Sequence, residues 1–260
     1  MEKKYILTEE AKEVGGHILH RIQAMRDFGG VQKGDLGGWV ESEENLSHDG
    51  DCWIFDNGEV YGNGRVSGNG KVSDDGWVYD NGWVFGNGEV YGNGRVFGNG
   101  EVYGNGEVYG NGRVSDDGRV YGDGRVYDNG KVSDDGWVFG NGRVFGDGRV
   151  FGDGRVSGNG EVYGNGRVSD DGWVFGNAKI GFNAYISSPR SYFVQGPIGS
   201  RNDFLTCYLD KDKKIYAVTG CFCGSIEVFV KKVKAVHGMN RWAKQYLKAA
   251  EMARVMLSGD

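Results

Sequence analysis

The chain has 260 residues, 30 basic and 36 acidic side chains, and 49 glycines, roughly three times the ordinary glycine share. Charge is uneven: residues 1–50 carry 6 basic and 10 acidic groups, residues 51–188 carry 12 and 20, and residues 189–260 reverse the balance with 12 and 6. That distribution argues against a general polyanion binder, and no apolar run approaches the ~20 residues of a membrane helix.

The first segment, residues 1–45, reads as short strands. Lys4–Thr8 and His17–Ile22 flank a polar stretch containing Gly15-Gly16, a hairpin signal. The segment opens without the charged-then-apolar pattern of a secretory leader, so a location in the cytoplasm is expected. A repeat array exposes unpaired backbone at its end, and this β segment is expected to cap it.

Residues 46–188 form the repeat. From Ile54 to Ile186 an aliphatic residue recurs every sixth position without insertion, giving 23 hexads typified by Glu-Val-Tyr-Gly-Asn-Gly at Glu59–Gly64. Six residues cannot enclose a core, so the hexads must stack as a solenoid. In each, x-Val-(Tyr/Phe/Ser) predicts strand with Val inward and both neighbours outward, while (Gly/Asp)-(Asn/Asp)-Gly is turn chemistry. A chain of Asn-Gly hairpins fails, because it leaves strands of about four residues that are unstable in isolated pairs.

Val60-Tyr-Gly-Asn-Gly-Arg65 resembles the hexapeptide repeat of left-handed parallel β-helices. The resemblance implies a mainly β fold with triangular coils of 18 residues, seven to eight in all. The small position is Gly from Gly58 through Gly172 and becomes Ala at Ala178 and Ala184. A looser corner, less well packed than one filled by Ala, is therefore expected.

Residues 189–260 differ in composition and are expected to form a separate α+β domain. Strands are predicted around Ser191–Val194, Phe204–Leu209 and Lys214–Val218, followed by helices capped at Ser225 and Asn240, a βββαα plan. The whole chain resembles a group of uncharacterised phage- and prophage-encoded hexapeptide-repeat proteins. The matching stretches are His20–Gly29, Gly34–Glu41, Glu44–Ser47, Gly199–Asp203 and Gly220–Phe222. That resemblance implies a phage setting without an established activity.

Candidate sites follow. Gly199, Ser200, Arg201, Asn202 and Asp203 form a glycine-containing loop whose amides and guanidinium suit an anion, and Gly224-Ser225 opens a helix. Outward residues 18 apart predict one aromatic ladder of Tyr91, Tyr109, Tyr127, Phe145 and Tyr163, and a second of Phe85, Tyr103, Tyr121 and Phe139. Both are candidate partner surfaces. The third face is interrupted by Ser115, Ser133 and Ser169 and lined by Arg95, Arg113, Lys131, Arg149 and Arg167.

Catalysis is not expected from the hexads. Left-handed β-helices include acyltransferases, which the resemblance associates with a coil histidine and an acyl-donor loop. Here His17, His20, His48 and His237 all lie outside the hexads, and the run has no insertion. Threonine ladders for ice are absent, and the period of six does not match the nine-residue calcium repeat. Cys52, Cys207, Cys221 and Cys223 imply no disulfide framework, and Cys221-Phe-Cys223 is a weak metal signal. The expectation is a non-enzymatic phage accessory protein, for which interference with host defence is a fitting role, without cofactor or metal. Its basic last segment would bind a small anionic, nucleotide-like ligand or a host protein. Alternatives are an acyltransferase-like enzyme and a structural homo-oligomer; no membrane or general nucleic-acid partner is expected.

Overall fold

The computed structural model describes residues 3–258; Met1, Glu2, Gly259 and Asp260, the outer ends of the first and last segments, lie outside the described residues. Strands β1 (Tyr5–Val14), β2 (His17–Ala24) and β3 (Leu36–Val40) come first. Gly15 and Gly16 turn the β1–β2 hairpin in the left-handed region. Then come 23 two-residue strands, β4 (Trp53–Ile54) to β26 (Tyr185–Ile186), one per hexad.

Every third strand pairs in parallel, so Val90 faces Val108 and Val96 faces Val114, an 18-residue coil. Three sheets result: β4 to β25 (8 strands), β6 to β24 (7 strands), and an 11-strand sheet in which β1, β2 and β3 precede β5 to β26. The aliphatic residue of every hexad is at most 1% exposed, forming a continuous internal column. Burying each valine contributes on the order of 1.5 kcal/mol, so coherence comes from repetition. In each hexad before the last coil the outward residues donate to the next coil, as Glu89 N–H to Gly106 O (2.9 Å) and Tyr91 N–H to Val108 O (3.0 Å). Gly94 N–H closes its own turn on Tyr91 O (3.1 Å).

The corners differ from the sequence expectation. A Cβ at Gly64 would lie 2.7 Å from Val78 O and 2.9 Å from Tyr61 O, so the small position is too tight for Ala rather than loose. The clash recurs up to Gly172, which meets Ile186 O of the last coil. Ala178 and Ala184 lie in that last coil, where no further coil supplies the carbonyl. The adjoining turn position carries the positive φ, Gly at Gly62 (60°) and Asp at Asp80 (54°). Corner asparagines also form amide ladders: Asn63 donates to Asn81, Asn81 to Asn99, and Asn99 to Asp117, at 3.0–3.2 Å.

Both ends of the column are covered. At the start, Tyr5, Phe28 and Trp53 pack together, and buried Lys4 Nζ donates to Cys52 O at 2.9 Å. At the other end stands an antiparallel sheet of β27 (Tyr192–Ile198), β28 (Asp203–Leu209), β29 (Ile215–Thr219) and β30 (Phe222–Ser225). The α+β expectation therefore gains a fourth strand, β30. Tyr208 and Val218 join the solenoid core, whereas Leu205, Cys207 and Ala217 pack on helices α1 (Ile226–His237) and α2 (Arg241–Leu257). Alternation along β28 thus serves two cores at once. Among the described residues no helix is long and apolar enough to cross a membrane.

Candidate functional site

The Gly199–Asp203 loop is held on α2. Gly199, at φ 76°, donates its N–H to Gln245 Oε1 (2.9 Å), and a Cβ there would overlap the Tyr246 hydroxyl. Asn202, at φ 52°, closes the turn by donating its N–H to Gly199 O at 3.3 Å. The chain reverses again at Gly220, where a Cβ would sit 2.8 Å from Arg201 Nη1. Arg201 therefore lies across the β29–β30 turn, with its guanidinium 3.8 Å from the exposed Cys221 thiol.

Between this turn, the loop and α1 is a cleft of about 230 Å³. Phe222, Phe229 and Tyr246 make its aromatic wall; Phe222 and Phe229 stand 5.4 Å apart, and Phe229 meets Tyr246 edge-on at 5.7 Å. Val233 and Val236 extend the apolar lining along α1. The polar groups are Ser200, Arg201, Thr219, Lys232 and His237; the imidazole tilts over Tyr246 at 6.0 Å, and Lys232 Nζ lies 5.4 Å above Phe222. Two cations thus border an apolar slot that ends at an imidazole.

Of the sequence-predicted loop, Ser200 and Arg201 reach this cleft. Asp203 accepts the N–H of Phe204 (2.8 Å) and faces a separate cleft with Arg143 and Lys179 of the last coils. Ser225 caps α1 by accepting the Val228 N–H (3.4 Å), and Gly224 pairs with Ala217 within the sheet. Sequence reading missed Phe229, Lys232, Val236 and His237 as a group, although Phe229, Lys232 and Val236, spaced by three and four, mark one face of a helix and His237 is its last residue.

The cysteines sit in different surroundings. Burial between sheet and helices pushes the Cys207 thiol up to about 12, burial also raises Cys223, which contacts the Tyr208 hydroxyl at 3.7 Å, and Cys221 is exposed. Both aromatic ladders form as read: Tyr91, Tyr109, Tyr127, Phe145 and Tyr163 stack at 4.8–5.4 Å, and Phe85, Tyr103, Tyr121 and Phe139 at 4.8–5.1 Å. Desolvation raises the phenol of every tyrosine in both ladders.

No family model matches the chain. Over 66 residues it is 33% identical to an uncharacterized acetyltransferase, YdcK, of Escherichia coli (strain K12), a match covering 22% of this chain and 20% of that protein. The chain therefore spans about a fifth of the length of the curated relative it matches. This similarity overturns the expectation of a non-enzymatic protein. The expectation rested on hexads without histidine, and the fold brings His237 into a cleft that lies outside the hexads altogether.

Proposed function

We propose that the protein is an acyl-transfer enzyme, with the solenoid as rigid scaffold and the cleft beside α1 as the acyl-donor site. The observation that carries this is one cleft holding an apolar slot, the Arg201 and Lys232 cations, and the His237 imidazole. An acyl thioester on a nucleotide-like, phosphate-bearing carrier has the matching chemistry: its acyl end is apolar and its carrier anionic. The similarity to a protein named as an acetyltransferase supports the same reading.

In this reading an acceptor amine or hydroxyl attacks the thioester carbonyl. The new C–N or C–O bond replaces the C–S bond, and His237 takes the acceptor proton and returns it to the departing thiolate. Removing such a base costs about 10²–10⁴ in rate. Calorimetric titration with acetyl-CoA tests binding, and thiol release with a panel of amine and hydroxyl acceptors tests turnover. Saturable binding that weakens in Arg201→Ala/Lys232→Ala is expected, together with thiol release at least a hundredfold slower in His237→Ala. Absence of saturable acetyl-CoA binding removes the proposal.

A further inference from the structure

The sign of charge along the three faces is distributed differently. On two of them, neighbouring coils pair opposite charges 18 residues apart: Arg119 with Glu101 (3.3 Å), Arg125 with Glu107 (3.4 Å), Arg143 with Glu161 (3.8 Å) and Lys71 with Glu89 (3.1 Å). On the third, Arg95, Arg113, Lys131, Arg149 and Arg167 stand opposite one another on five successive strands. None of the five joins an ion pair among the described residues, and only Arg95 has an aromatic partner, lying over Trp77 at 4.5 Å. Like charges directly opposite across ~4.8 Å between strands destabilise a sheet.

The column also borders a groove. One cleft of about 360 Å³ contains Arg113, Lys131 and Arg149; the next, about 370 Å³, contains Arg149 and Arg167 and ends at Lys211 of the β28–β29 turn. Shared Arg149 and Asp147 make the two continuous, and Asp147 contributes the one carboxylate to their lining. At the other edge, Ser115, Ser133 and Ser169 donate to one oxygen each of Asp116, Asp134 and Asp170 at 3.0–3.4 Å; these carboxylates, with Asp117, Asp135, Asp153 and Asp171 of the same line of turns, keep their charge and confine the positive track to the groove side. The net charge of −6 hides this one-sided track.

We propose that this column binds a linear phosphate polymer, inorganic polyphosphate, lying along the prism axis. A flexible chain with an anion on every unit can neutralise each rung in turn. Single-stranded nucleic acid is disfavoured because such sites add a run of aromatic platforms for successive bases, whereas three of the five rungs have serine as outward neighbour (Ser115, Ser133 and Ser169) and the two phenylalanines, Phe97 and Phe151, stand three coils apart. This proposal involves neither the α1 cleft nor an acyl donor, so either reading can fail without the other.

The test is titration of the full chain with long-chain polyphosphate across a salt series. Five phosphate contacts predict a slope of log affinity on log salt of roughly −3.5, by the coefficient for single strands. Lys131→Gln/Arg149→Gln should lower affinity at least tenfold and reduce the slope to roughly −2. Its ligand-free melting temperature should be no lower than that of the parent, since repulsion is relieved. Arg125→Gln/Arg143→Gln, on an ion-paired face, should bind as the parent does. The proposal is overturned by no saturable binding at low salt, by equal loss in the control pair, by tripolyphosphate binding as tightly as the long chain, or by single-stranded DNA of equal charge binding as well.

Discussion

At the scale of single residues, the tightest constraint is the glycine before each strand. No side chain fits in place of its Cα hydrogen: at Gly124 a methyl would lie 2.7 Å from Val138 O and 3.0 Å from Tyr121 O. Since both obstacles are backbone, the coil itself must shift to make room. Gly124→Ala should therefore destabilise by about 2 kcal/mol, despite the better intrinsic propensity of Ala, because overpacking outweighs entropy. Ala178→Gly, in the last coil, should cost only about 0.5–1 kcal/mol. Denaturant titration of the two variants distinguishes them, and equal effects would refute the close-approach account.

At the scale of the elements, two-residue strands are too short to persist alone, and stacking in register supplies what their length does not. The aromatic ladders show this coupling through their phenols. Tyr61 on the third face and Tyr163 are pushed up to about 12 from 10.0, chiefly by desolvation. An acid whose folded pKa is raised favours the fold below its ordinary value, and that contribution is lost as pH rises through the folded value. Stability should thus fall between pH 10 and about 12, while being flat in this respect below 10. Absorbance of tyrosinate followed together with circular dichroism checks it: ionisation should coincide with loss of β signal. Ladder phenols that ionise near 10 in an intact solenoid would contradict the stacking geometry.

At the scale of the whole molecule, a prism with an internal aliphatic column has two ends to close. The start is closed by Tyr5, Phe28 and Trp53, the finish by Tyr208 and Val218 from the antiparallel sheet. The sheet is fastened to the last coil by the Ala184–Asp210 bridge and by Lys179 N–H donating to Thr206 Oγ1 at 3.0 Å. A chain ending at Ser188 would leave Ile180 and Ile186 uncovered above an open strand edge. Such a truncation should self-associate, visible as light scattering that grows with concentration. A monomeric fragment melting at the parent temperature would show that the finish needs no cover.

The hexad period by itself determined the buried valine column and the strand positions, and the resemblance to left-handed β-helices added the 18-residue coil and, with it, the two aromatic ladders. Those properties depend on residues six or eighteen apart, and a strict repeat writes such spacings directly into the chain. Both helices and their caps at Ser225 and Asn240 were legible for the same local reason. The α1 cleft was not, because Arg201, Cys221, His237 and Tyr246 come from four separate stretches that only sheet and helix packing bring together. Nor was the demand for glycine at the corners, which arises from a carbonyl fourteen residues further on, in the next coil. Contacts made along the chain are set by sequence spacing; contacts made between coils or across a packed sheet exist only once the tertiary fold has chosen their partners.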